Sequence, residues 1–395
     1  MSRYDLDRTM LSSLAQEAGL ALTGVSAPAP LDDTARYVSD HIARGHTAGM
    51  NWFSASRARE SADPSTLHAE VRSIVSVGVP FWSGWREPPE DGALRGQIAR
   101  YAWGRDYHKT LRQRMRRLVE LLEKHVGGPV EARTLADTAR AFDRALAARS
   151  GLGWFGKNSM IIVPRHGSWV MLGELYLDLA LAPDLPLNQD CGRCSICLDR
   201  CPTGAIVAPY RIDAPRCISF LTIEERGPLP PELRPLMGNW VFGCDVCQDV
   251  CPYTRAAREV DDFDFQPATL DNAYPRLDWL LSMNDAEFRA IYSGTAVTRA
   301  KRRGLARNAA VALANCNDPR AEAPLLRALR EHDEPLARGH AAWALRHLLS
   351  DEALKPLRAA RAVESDSYVQ QEIDAALGLQ PYSADKNPRS VSALN

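Results

Sequence analysis

Three features of the 395-residue sequence predict an α+β multidomain chain. Helical and strand patterns alternate over the first 180 residues, eight cysteines crowd between Cys191 and Cys251, and alanine-rich helices repeat towards the C-terminal end. With 45% hydrophobic and 25% charged residues the composition is that of ordinary globular domains, and the length allows two or three cores. A formal net charge of −1 leaves any affinity for nucleic acid to a local patch. The amino terminus is broken by charges and lacks the apolar core of a signal peptide. No run of 18 apolar residues follows, so the expectation is a cytoplasmic chain without a membrane segment.

The first domain is expected over 1–180. An amphipathic helix from Leu11 ends at Gly19 and leads into ALTGVS, an apolar strand; Pro28 and Pro30 then break the chain ahead of a helix at 34–44. VRSIVSVGVP, 71–80, has the apolar and small residues of a buried strand, and WREPPEDG, 85–92, those of a surface loop. The stretch that starts IARYAWGRDYH at Ile98 continues into a helix with a basic face. GLGWFGKN, 151–158, satisfies GxGxxG and misses a phosphate loop only at Asn158. A phosphate loop follows a strand and opens a helix, whereas here the helix DRALAARS precedes and the strand SMIIVP follows. A glycine turn packed against some other cofactor is the better reading. A hairpin over 159–181, turning at His166 and Gly167, completes this α/β domain.

The cysteines define the next region, 181–262. CGRCSICLDRCP, from Cys191 to Pro202, is the bacterial ferredoxin run in which three thiolates hold one 4Fe-4S cube and the fourth reaches a second. Cys217 and CDVCQDVCP, from Cys244 to Pro252, complete the set. The expected ligands are Cys191, Cys194, Cys197 and Cys251 for one cluster, and Cys201, Cys217, Cys244 and Cys247 for the other. Disulfide frameworks belong to short secreted chains, and CxxCxxCxxxCP is an unusual run for zinc. Cys316 lies apart, in a helical repeat, as a small buried hydrophobe.

An acidic, proline-broken linker and helix are expected over 263–297, repeats over 298–380 and a disordered tail over 381–395. Ala312, Ala344 and Ala376, each followed by leucine, mark a 32-residue phase, the sign of a small HEAT-like solenoid. From Arg299 to Arg361 there are 13 Lys/Arg against 7 Asp/Glu. Arg299, Lys301, Arg302, Arg303 and Arg307 lead that excess and form a candidate RNA-phosphate surface.

In chain order, IARYAWGRDYH, LADTARAFDRALAARSGLGWFGKNSM, HGSWVMLGEL, DCGRCSICLDRCPTGAI, RCISFLT, GNWVFGCDVCQDVCP and RNAAVALAN together resemble the epoxyqueuosine reductases of tRNA queuosine biosynthesis. The resemblance runs from Ile98 to Asn315. It implies a base-off cobalamin lying between the α/β cobalamin-binding domain and the ferredoxin-like domain, reduced through two 4Fe-4S clusters by a low-potential electron donor. The implied reaction removes the epoxide oxygen of epoxyqueuosine, in the anticodon stem-loop of tRNA, as water, and the implied assembly is a monomer. It further implies Asp137 as proton donor, with its pKa pushed upward beside an apolar corrin, and Arg144 as a basic residue near the active site. The cobalamin contacts that it implies are Ala99, Asp137, Ile161, Leu172, Ser219, Asp245 and Val246. Arg140 and Asp143 depart from the family, which usually has Pro and Glu there. Without the resemblance, Asp137 reads as the N-cap of a helix DTARAFDRALAA. Two other readings share the clusters: a cobalamin-dependent reductive dehalogenase, which typically carries an export signal, and a non-enzymatic electron-transfer adaptor, which binds no corrin.

Overall fold

The computed structural model describes residues 6–137, 140–349 and 354–382; the expected tail beyond 382 lies outside them. The chain forms two compact units built from interleaved stretches. One holds residues up to Trp85, Arg100–Pro215 and Asp245–Gln266; the other holds Arg86–Ala99, Arg216–Cys244 and the chain from Pro267 onward. The cysteine region expected over 181–262 contributes residues to both units. Its helices and strands are two to six residues long, too short to enclose a core of their own.

In the first unit a four-stranded antiparallel sheet runs in the order β1 (Leu22–Ser26), β2 (Ser73–Pro80), β4 (Val170–Leu177), β3 (Ala132–Leu135). All eight residues of β2 are buried, which explains a strand without polar alternation. It pairs with β4 from Ser73↔Leu177 to Pro80↔Val170. One face carries Val75, Val77, Val79, Met171, Leu175 and Leu177, covered by Leu11 and Ala15 of α1 (Arg8–Glu17) and by Leu111, Met115, Leu118 and Leu122 of α4 (Tyr107–Val126). On the other face Ile74, Leu135 and Tyr176 meet Ala35 of α2 (Asp32–Ala43), Ala62 of α3 (Ala55–Ala62), and Ala145 and Leu146 of α5 (Asp143–Arg149). The expected hairpin survives only as a bridge between Val163 and Gly167. The two-residue strand Ile161–Ile162 instead pairs with Trp154–Phe155, and β4 crosses to β2. The acidic stretch after Cys251 is no loose linker: Asp262 and Asp264 clamp Arg114 of α4 at 2.6 and 2.8 Å, and Phe265 is buried in the core beside them.

The second unit is dominated by paired helices: α6 (Lys301–Asn315), α7 (Glu322–Glu331), α8 (Pro335–Leu348), α9 (Lys355–Val363) and α10 (Ser367–Ala376). Ala312, Ala344 and Ala376 are all fully buried, one each on α6, α8 and α10, so the 32-residue phase marks the inner helix of each repeat. Leu277, Leu280 and Leu281 bury a short helix, Leu277–Ser282, within the stretch expected as linker and helix. Cys316 caps α6, partly buried. Among the described residues no helix is long and apolar enough to cross a membrane.

Buried polar groups lock this unit. Arg234 meets Glu372 in a two-pronged ion pair at 2.9 and 2.6 Å. His340, fully buried, accepts the Leu229 N–H on Nε2 at 3.1 Å, so Nδ1 carries the hydrogen and donates to the Leu336 carbonyl at 2.8 Å. Burial, with Arg234 and Arg307 nearby, holds its pKa well below the ordinary 6.5. The unfolded chain therefore takes up this proton first, and the stabilisation present above pH 6.5 is lost as pH falls below it. We expect thermal melts to show stability declining from pH 6.5 to 5, by up to about 1.4 kcal/mol per pH unit from this group, and His340→Gln to flatten part of that slope.

Candidate functional site

Four of the eight cysteines converge. Cys191, Cys194, Cys197 and Cys251 line one cavity with Lys157, Asn158, Ile162, Ile196, Pro252 and Tyr253. They are the four assigned to one cluster by spacing, with Cys251 joining from the second run. The glycine turn shapes this cavity. Gly151 has φ +67°, and a Cβ there would lie 2.3 Å from the Leu185 carbonyl oxygen; one at Gly153 would lie 2.6 Å from both Ile161 and Ile162. The turn can then deliver Lys157 Nζ to the Gly192 carbonyl at 2.7 Å and Asn158 Nδ2 to the Cys247 carbonyl at 3.2 Å. Lys157 and Asn158 thus hold one segment of each cysteine run, and no helix follows the turn to bind a phosphate. Among the described residues no cysteine forms a disulfide. Burial, and then the neighbouring thiols, raise Cys197 to about 11. Such thiols ionise only when cations draw off the proton, as cluster iron does. Soft sulfur donors around one cavity fit an iron-sulfur cube.

Cys201 and Cys247 also lie in the first unit, Cys217 and Cys244 in the second. Within the second unit the segments bearing Cys217 and Cys244 are tied together. Gly243 N–H donates to Thr222 Oγ1 at 2.9 Å, and Asn308 Nδ2 donates to the Thr222 and Val241 carbonyls at 2.9 and 2.8 Å.

The acid predicted at Asp137 is no helix cap. It sits in a turn after β3 with φ +45°, and α5 begins only at Asp143, after Phe142; Thr138 and Ala139 lie outside the described residues. Its Oδ2 accepts hydrogen bonds from Tyr107 Oη at 2.6 Å and His108 Nε2 at 2.9 Å. Both donors stand in the first turn of α4, whose N-cap, Asp106, also holds His108 Nδ1 at 2.8 Å. Both imidazole nitrogens therefore donate to carboxylates, and although burial opposes it, these bonds raise His108 to about 9. Asp137 itself keeps 56% of its side chain exposed; the desolvation it does undergo pushes it up, but the bonds from His108 and Tyr107, with the charges of His108 and Arg144 behind them, hold it below the usual carboxylate range. These neighbours, which the motif did not reveal, oppose the upward shift expected of Asp137 beside a corrin. His108 and Tyr107 were missed; the sequence signal was the Asp-x-His at a helix start.

Arg144 is exposed and donates to the Ser159 carbonyl at 3.0 Å. Ser159 Oγ is buried with no partner among the described residues, and half-buried Leu172 packs beside Ile161 against Ala147, Leu152 and Val163. An unsatisfied hydroxyl beside apolar side chains fits a large, mostly apolar ring such as a corrin. Asp245 is buried and engaged by Arg100, through its N–H at 2.8 Å and guanidinium at 3.1 Å. That guanidinium stands 5.1–5.4 Å from the rings of Trp82, Trp85, Trp103 and Trp169. Val246, next to Asp245, is partly buried, as is Ser219, while Ala99 is buried and bonds through its N–H to the Phe242 carbonyl.

The candidate RNA surface is smaller than its charge count. Arg302 is 7% exposed and ion-paired with Asp285, Asp333 and Glu334. Arg307 is 0% exposed and donates to the carbonyls of Leu221, Glu225 and Gly227. Both are structural, a correction that counting charges could not reveal. Arg299 is half-exposed and paired with Glu224 at 3.0 Å; Lys301 and Arg303 are exposed.

Comparison with known proteins agrees with this arrangement. Residues 190–254 match a model of the 4Fe-4S double cluster binding domain, 62–138 one described as Epoxyqueuosine reductase QueG, DUF1730, and 296–378 one of HEAT repeats. The chain is 44% identical over 301 residues to the epoxyqueuosine reductase of Escherichia coli K12, covering 75% of this chain and 78% of that one. It is 39% identical over 335 residues to that of Pseudomonas aeruginosa, covering 84% and 91%. A solved epoxyqueuosine reductase with an epoxyqueuosine-modified tRNA-Tyr stem loop superposes at a TM-score of 0.87, with 31% identity, 94% of this chain and 98% of that chain covered. The enzyme of Streptococcus thermophilus gives 0.85, with 28% identity and the same coverage. The chain therefore belongs to the epoxyqueuosine reductase family, oxidoreductases that act on epoxyqueuosine in tRNA with two 4Fe-4S clusters and cobalamin as cofactors.

Proposed function

We propose that this chain turns epoxyqueuosine into queuosine at the tRNA wobble position, with Asp137 delivering the proton that the departing oxygen needs. The observation that carries the reading is the convergence of His108 and Tyr107 on one oxygen of Asp137. Removing an epoxide oxygen as water takes two electrons and two protons. Cobalamin reduced through the clusters supplies the electrons when bound. The side chains must supply the protons, because an alkoxide leaves poorly. At neutral pH the proton of the Asp137–His108 pair rests on the imidazole, and the 2.9 Å bond is the path by which Asp137 Oδ2 is recharged. Asp106 keeps the ring oriented. Arg144 supports the charge of Asp137 and orders the 159 segment.

Cys191, Cys194, Cys197 and Cys251 would hold one cluster, and Cys201, Cys217, Cys244 and Cys247 the other, an assignment that rests on their spacing. Ile161 and Leu172 would offer the corrin an apolar wall, with Ala99, Ser219, Asp245 and Val246 as further contacts carried over from the family motifs. Arg100 leaves Asp245 little freedom to reorient, so its contact would come through the backbone. Lys301 and Arg303, with Arg299, would meet RNA phosphates. A low-potential one-electron carrier would feed the clusters, and the chain would act as a cytoplasmic monomer.

Mass spectrometry of tRNA nucleosides after incubation with reconstituted protein and a strong reductant tests the activity: queuosine accumulates at the expense of epoxyqueuosine, and its failure to appear would refute the reading. Asp137→Asn should lower turnover by about 10² to 10⁴ while iron, sulfide and corrin content stay at wild-type levels. In the wild type, kcat should fall as pH rises through about 9, where the imidazole loses its proton; His108→Asn should be slower throughout and lack that limb. Replacing Lys301 and Arg303 by alanine should weaken tRNA binding and reduce the salt slope by about one for each phosphate that is no longer neutralised. Arg307→Ala should instead lower Tm and leave the slope alone.

A further inference from the structure

Beneath the Asp137 turn lies a carboxyl pair that the chemistry above does not use. Glu174 sits in the middle of β4, opposite Ser76 of β2 and Leu135 of β3, and is fully buried. The helix covering this face of the sheet is α5, and the carboxyl of its first residue, Asp143, meets that of Glu174. Neither Glu174 oxygen, nor Oδ1 of Asp143, is reached by any N–H or hydroxyl among the described residues. Two ionised carboxylates in this setting would repel one another, and each would forfeit much of its hydration. A single proton resolves both problems: Glu174 donates it to Asp143, and Asp143 keeps Oδ2 to accept the Asp137 N–H at 3.1 Å. That last bond matters because Asp137 has φ +45°, a conformation that a residue with a side chain holds only when its surroundings impose it.

We propose that Asp143 and Glu174 are positioning residues that share one proton and, through the bond from Asp143 to the Asp137 backbone, latch the acid in the conformation that meets His108 and Tyr107. The proposal rests on Asp137 being the acid of the reaction. The charged and titratable groups facing the pair are Asp137 and Arg144 on the turn and α5, and Tyr176 of β4 with Arg149 at the end of α5. Burial raises the proton affinity of both carboxyls, and Asp137 and the pair's mutual repulsion raise it further; at Asp143 only the bonds to Glu174 and the Asp137 backbone and the charge of Arg144 oppose this. The latch is accordingly closed while the shared proton is present and opens when rising pH removes it, as the carboxylates separate and the N-terminus of α5 moves with Asp143.

Hydrogen–deuterium exchange of the peptide spanning 134–146, corrected for intrinsic exchange and followed from pH 6 to 9, tests this in purified protein without substrate or turnover. Wild-type protection should fall about tenfold with rising pH. In Glu174→Gln it should stay level, because the amide still donates to Asp143 and cannot ionise. In Asp143→Ala it should be low at every pH, with kcat reduced and KM unchanged. Should the alanine variant fail to fold, Asp143→Asn serves instead: its amide keeps both bonds whatever the state of Glu174, so protection should be high and independent of pH. Equal protection in wild type and Asp143→Ala, or one pH dependence shared by wild type, Glu174→Gln and Asp143→Asn, overturns the latch. Full turnover by Asp137→Asn with the exchange pattern intact would refute the role of Asp137 and leave the latch standing.

Discussion

The pairing of β2 with β4, eight residues in register and buried on both faces, is the constraint from which the first unit is built. Because side chains alternate along β4, Leu175 and Leu177 enter the core under α1 and α4, while Glu174 and Tyr176 point the other way, under α5. A slip of one residue would exchange the two sets and place Glu174 in the larger apolar core. The same strand pair fixes β3 at the outer edge of β4, and β3 ends two residues ahead of Asp137. The acid's place thus follows from sheet register.

Much of this was legible because burial leaves a strong compositional mark. VRSIVSVGVP could hardly be anything but an interior strand, and alanines at a fixed period could hardly pack other than as stacked helices. Partners left no such mark. The strand after GKN was expected to fold back on its neighbour, yet β4 belongs to β2, since periodicity states which face is apolar and not which strand will meet it. The acidic stretch at 261–266 looked like a linker because Asp and Pro are common in loops. Its two aspartates are held by Arg114, some 150 residues earlier in the chain, and a single sequence carries no sign of such a pairing.

The arginines show the same limit. Arg302, Arg303 and Arg307 are equivalent in a count of charges, and Arg303 and Arg307, four residues apart, even share a helix face; yet Arg303 at the helix start meets solvent while Arg307, one turn on, is fully buried against the 221–227 segment. A guanidinium can satisfy several carbonyls from one planar group, and Arg307 does so at Leu221, Glu225 and Gly227. With Asn308 beside it, this makes RNAAVALAN less a nucleic-acid motif than a brace for the segments that carry Cys217 and Cys244. The cysteines themselves were the most legible feature, since ligand geometry restricts spacing more tightly than packing does. Lys157 and Asn158, which grip the backbone of both cysteine runs, could be recognised only in part, through a glycine pattern that imitates a phosphate loop.

Carboxyl groups on one short stretch of chain are driven in opposite directions by what surrounds them. Asp137 meets two hydrogen-bond donors and a nearby guanidinium, and is held ionised. Asp143, six residues on, meets another carboxyl in an apolar sheet, and its proton affinity rises. Environments that separate the protonation states of neighbouring acids are how one fold gives them different roles at one pH. Here the ionised member faces the imidazolium and can pass a proton on, while the pair beneath the turn bonds to the Asp137 backbone and acts on its geometry. The departure from Glu to Asp at 143 bears on the second of these roles. A side chain one methylene shorter has less reach, so the Asp137 turn and Glu174 must both lie close to the start of α5 for a single carboxyl to serve them together.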